Sequence, residues 1–134
     1  MKPWTISASV VAGIFFAAAI SNEFYQLTSP LALSWHVLLR KMYSVIAFAL
    51  VGYLMRRALA EHGRASVVVP CIVGIAAYSG AIEVAQAWLG SQEGFAWNAV
   101  DVACGAIGGA LGSAGAARSP RGLTPRSVRE PRQR

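Results

Sequence analysis

The feature that most constrains this chain is the spacing of its charges. Between Lys2 and Glu23 there is no Lys, Arg, Asp or Glu, and three more apolar stretches follow with few interruptions. A helix needs about 20 mainly apolar residues to cross roughly 30 Å of hydrocarbon. Four stretches, at about 4–24, 39–59, 65–88 and 98–117, meet that requirement. With no water inside the bilayer, every backbone N–H and C=O must bond within the chain, so such stretches become helices. The predicted fold is therefore all-α: a four-helix transmembrane bundle in residues 1–117 with short loops, then an Arg/Pro-rich tail at 118–134. With 55% apolar and 13% charged residues and a mean hydropathy of +0.48, there is too little charge to coat a soluble domain.

Ala17 and Ala19 form a small-x-small pattern that also suits a signal peptide. A single Lys ahead of the first stretch, and three further spans after it, favour a retained helix. Orientation follows from the excess of Lys and Arg on cytoplasmic flanks. With the N-terminus inside, Lys2, Arg56, Arg57, Arg64 and the six Arg of 118–134 are cytoplasmic, and only Arg40 and Lys41 are outside. The expected topology is N-in/C-in. The net charge of +6 then reports topology and attraction to anionic lipid, not nucleic acid. The tail, with six Arg and three Pro, is predicted to be disordered and to lie on anionic lipid. Trp4, Trp35, Trp88 and Trp97 fall near predicted helix ends, as an interfacial aromatic belt requires.

The chemistry must lie in polar groups at membrane depth. Glu83 stands about two turns from the outer end of the third helix, where a carboxylate is expensive unless it faces protein or water. Ser79, Glu83, Gln86 and Gly90 share one helical face. In the fourth helix, Asn98, Asp101, Gly105, Gly108 and Gly112 share another. Two overlapping GxxxG pairs, Gly105/Gly109 and Gly108/Gly112, allow close backbone approach and mark the buried side of that helix. Asp101 is thus expected to point into the bundle. A short loop makes helices three and four antiparallel neighbours, so Glu83, Gln86, Asn98 and Asp101 should converge near the outer face. Arg40 and Lys41, the only basic residues expected there, complete the candidate ligand-binding set. Cys71 and Cys104 should differ in depth by on the order of 10 Å, too far for a disulfide.

Three segments resemble the VanZ-like family of bacterial membrane proteins: Tyr78-Ser-Gly-Ala-Ile-Glu83-Val-Ala-Gln86, then Asp101, then Gly108-Gly-Ala-Leu-Gly112. That family carries a Glu-x-x-Gln at the end of one helix, with an Asp and a Gly-rich segment in the next. The resemblance covers about 40 residues. It departs from the family pattern at Ser44, where a His is usual, in 91–97, where an Arg is missing, and at Gly105, where an Asn is common. It implies a multi-pass protein of the bacterial cytoplasmic (inner) membrane concerned with the cell envelope, and it specifies no reaction.

Three classes of function remain. The first is a binding or accessory protein for an envelope lipid, lipid-linked glycan or peptide. The second is a structural subunit that assembles with a membrane protein partner or with further copies of itself. The third, less favoured, is an intramembrane enzyme using paired carboxylates. The chain has no nucleophile–base set and no metal-ligand cluster, so no cofactor or metal is expected and catalytic residues stay unassigned. His36 and His62 are expected on opposite sides of the membrane and cannot cooperate.

Overall fold

The computed structural model describes residues 2–21, 36–63, 67–89 and 95–118, and these form four helices. They are α1 (Pro3–Ile20), α2 (His36–Glu61), α3 (Val68–Trp88) and α4 (Phe95–Arg118). Each is long and apolar enough to cross a membrane. The arginine-rich tail beyond Arg118, the connecting residues Glu23, Gln26 and Trp35, and the side chains of His36 and Trp97 lie outside the described residues.

The helix ends follow local chemistry. Pro3 opens α1 at a position where its missing N–H has no partner to lose. Ser21 ends α1 with extended backbone while its N–H still bonds the Ala18 carbonyl at 3.1 Å. The helix therefore ends at Ile20. Gly63, with φ of +73°, turns the chain after α2 in the left-handed conformation that glycine adopts without strain. Pro70 sits in the first turn of α3, where no intrahelical hydrogen bond is sacrificed.

The contacts define an up-down arrangement. Two ends can be named by the chain: a near end, where α1 and α3 begin, and a far end, where α2 and α4 begin. The helix α4 lies at the centre and α1 at the margin, with no buried residue in α1. Packing is most extensive between α2 and α4, which run parallel, and next between α3 and the antiparallel α4. The interior holds Phe48, Val51 and Leu54 of α2, Cys71, Ile75, Ser79 and Ile82 of α3, and Cys104, Ser113 and Ala116 of α4. Exposed Ile6, Val10, Ile14, Ile46, Leu50, Val73, Ile107 and Leu111 form the lipid-compatible exterior.

The glycines of α4 explain why that helix is central. A Cβ on Gly105 would come within 2.7 Å of the Ser79 Cβ, and one on Gly109 within 3.0 Å of the Ile75 Cβ. That pair admits α3. A Cβ on Gly108 would stand 2.5 Å from the Phe48 Cβ, and one on Gly112 would collide with the Ala49 carbonyl. That pair admits α2. The two overlapping GxxxG pairs thus serve two different neighbours within one chain. Gly52 of α2 completes the second approach, its Cβ position only 3.0 Å from the Gly109 Cα.

Candidate functional site

At the far end, Lys41 of α2 and Asp101 of α4 form an ion pair between Nζ and Oδ2. Parallel packing sets this up: five residues into α2 and six into α4, the two side chains meet at one level. The pair is enclosed, with side-chain exposures of 8% for Lys41 and 13% for Asp101. Behind it, Ser79 of α3 donates its hydroxyl to the Asp101 backbone carbonyl at 2.9 Å. Three helices are therefore tied together at one acidic residue. The same Ser79 touches the Gly105 position, so glycine packing delivers the hydroxyl to that carbonyl.

The remaining residues of the expected set divide. Arg40, Glu83 and Asn98 are half-buried and each is already engaged. Glu83 lies one turn beyond Ser79, and Asn98 one turn ahead of Asp101. Gln86 is drawn elsewhere: its amide donates to the Ala19 carbonyl of α1 at 2.8 Å. Ala19 belongs to the last turn of α1, where carbonyls have no intrahelical partner, so Gln86 closes off that helix end. The shared face of α3 is thus split, with Ser79 turned to α4 and Gln86 to α1.

Tyr78 is a contributor that spacing arguments overlooked. Its hydroxyl donates to the Ala12 carbonyl at 2.5 Å, and its ring lies 6.3 Å from each of Phe15, Phe16 and Phe48. Phe15 and Phe48 themselves meet edge to face at 5.2 Å. A tyrosine in mid-membrane needs a partner for its hydroxyl, and that need was the available signal. Tyr78 and Gln86 together attach α1 to α3.

The near end has a different chemistry. Arg56 donates from Nη1 to the Ser113 carbonyl at 2.8 Å and to the Ser113 hydroxyl at 3.0 Å. Ser113 is fully buried, a role its place among small residues did not announce. Arg57, the next residue, turns instead to α1 and lies over the Trp4 ring at 4.6 Å. Both cysteines are buried and free. Cys71 packs at the level of Gly109 and Cys104 near the level of Ser79, a separation of about 12 Å along α3 at 1.5 Å per residue. Among the described residues no three His, Cys, Asp or Glu side chains gather as a metal would require.

Fold and composition define a multi-pass membrane protein. Comparison with known protein families, with curated proteins and with solved structures finds no match. The chain's own geometry must carry the functional argument.

Proposed function

We propose that this is a VanZ-like accessory protein of the bacterial cytoplasmic membrane, with both termini inside. Its far end would then face outward and take the charged headgroup of an envelope lipid or lipid-linked glycan. The observation that carries this reading is an ion pair placed where helix packing does not require one. The glycines of α4 already bring α2 and α3 into backbone contact. Replacing a buried ion pair by apolar residues of similar volume is commonly neutral or stabilising. Charges at membrane depth are also costly and are by default functional. Lys41 and its neighbour Arg40 supply the cations that would meet a phosphate, and Asp101 with Glu83 would hold Lys41 in place or bind an ammonium.

A second reading, as an assembly subunit, is favoured by the fact that Lys41 and Asp101 satisfy each other. The paired variant Lys41→Met/Asp101→Leu separates the two. Native mass spectrometry of the gently solubilised wild type should reveal a co-purifying envelope lipid or lipid-linked glycan. The paired variant, melting at or above the wild-type temperature, should lose that molecule. If neither form carries a specific lipid and both carry a protein partner, the assembly reading replaces the binding one. For topology, alkaline phosphatase fused after Arg134 should be inactive; an active fusion would reverse the orientation.

A further inference from the structure

The near end carries a feature that the proposed function does not use. Helix α2 delivers two consecutive arginines there, about 100° apart around its axis. Arg56 turns inward and is consumed by Ser113. Arg57 turns to the seam between α1 and α2. Its guanidinium carbon sits 4.6 Å from the centre of the Trp4 ring and 5.9 Å from that of Tyr53. The two rings meet edge to face, with centroids 6.3 Å apart and planes at 72°.

A cation–π contact places the cation over the face of an aromatic ring. The five N–H groups of a guanidinium lie in the plane of the group and point from its edge. The contact with Trp4 therefore positions the guanidinium carbon without a hydrogen bond from any of these donors. Among the described residues, none of these N–H groups has a hydrogen-bond or ion-pair partner. Glu61, one turn further along α2, makes no ion pair with it; the Glu61 Oε2 is itself buried and unpartnered. A half-buried guanidinium, held over a ring with its N–H groups unused, can offer the two-point contact that phosphate accepts.

Position identifies the source of that phosphate. Trp4 is in the first turn of α1, and Arg57 is four residues from the end of α2, about 6 Å along the axis. For helices that span a membrane, this is the headgroup level, where tryptophan belts form. Among the described residues, Lys2, Arg56, Arg57 and Arg118 lie at this end against Glu61, four cations to one acid, which favours an anionic over a zwitterionic lipid. We propose that Arg57, held over Trp4 with Tyr53 beside it, binds the phosphate of an anionic phospholipid at the α1–α2 seam. This site stands apart from the Lys41–Asp101 end, and its test does not depend on the VanZ-like reading.

The test is titration of detergent-solubilised protein with dioleoylphosphatidylglycerol or dioleoylphosphatidylcholine, read by native mass spectrometry. Wild type should bind one phosphatidylglycerol in clear preference to phosphatidylcholine. Arg57→Gln should weaken that binding about tenfold, the loss expected for one charge-assisted contact. Arg57→Lys, which keeps the charge and loses the fork, should fall between. A second measurement leaves residue 57 intact. In a chain whose other tryptophans, Trp35, Trp88 and Trp97, are changed to Phe, Trp4 emission should respond saturably to phosphatidylglycerol and not to phosphatidylcholine. Equal phosphatidylglycerol binding by wild type and Arg57→Gln would overturn the proposal, as would an unresponsive Trp4. Displacement of the lipid by millimolar inorganic phosphate would also overturn it, by assigning the site to a soluble anion.

Discussion

The two ends of the bundle join the same pair of helices with a cation from the same helix, yet they satisfy that cation differently. At the far end Lys41 of α2 meets a carboxylate of α4; at the near end Arg56 of α2 meets, among the described residues, the neutral oxygens of Ser113. Depth does not separate them, since Lys41 is five residues after the start of α2 and Arg56 five before its end. Burial does. Lys41 is 7% exposed, whereas Arg56 is only partly covered. A compact ammonium enclosed by protein has to be neutralised, because an uncompensated buried charge is strongly destabilising. A delocalised guanidinium with a long stem can leave one nitrogen in the bundle and keep the rest near water. The lesson is that a charge in such a bundle is governed by its enclosure more than by its distance along the helix.

The sharpest challenge to that contrast is Asp101→Asn. It removes the paired carboxylate from an enclosed Lys41 and should cost about 3–5 kcal/mol in reversible unfolding in detergent; a change below about 1 kcal/mol would show that Lys41 is compensated by its other contacts or by water. Between the two ends, Gly112→Ala places a methyl against the Ala49 carbonyl. Overpacking of this kind should cost about 1–3 kcal/mol, measured the same way, and should loosen α2 from α4 at both ends. A neutral effect there would mean that α2 can move aside freely. Ser113→Ala removes one of two neutral acceptors from Arg56 and should cost only about 0.5–1.5 kcal/mol. A loss as large as that of Asp101→Asn would erase the distinction between the ends. The smallest effect is expected from Gly115→Ala, whose Cβ would meet nothing within 4 Å. It should stabilise α4 by up to about 1 kcal/mol through helix propensity alone, so a loss would reveal a neighbour at that position.

Much of the architecture was legible in the residues. The four helices follow from apolar length, and the burial of the α4 glycine face follows from the GxxxG spacing. Adjacent, antiparallel α3 and α4 follow from a short connection, and the unequal depths of Cys71 and Cys104 follow from helical rise. The site was legible only as a set of polar positions. Gln86 reads on the wheel as a companion of Glu83, yet α1 supplies an unpaired carbonyl at Ala19 and captures it. Tyr78 and Ser113 read as ordinary core residues until a partner helix brings them an oxygen or a guanidinium.

The sequence alone determined that this chain is a set of spanning helices and which residues are polar at depth. Those properties depend on apolar length and on the need of each backbone group for a bond within its own helix. Tertiary structure alone decided which glycine pair admits which neighbour, that Lys41 rather than Arg40 is the partner of Asp101, and that Arg57 rests on Trp4. These choices depend on the rotation and register of one helix against another. In hydrocarbon, where apolar faces do not distinguish neighbours, close packing and a few hydrogen bonds set both.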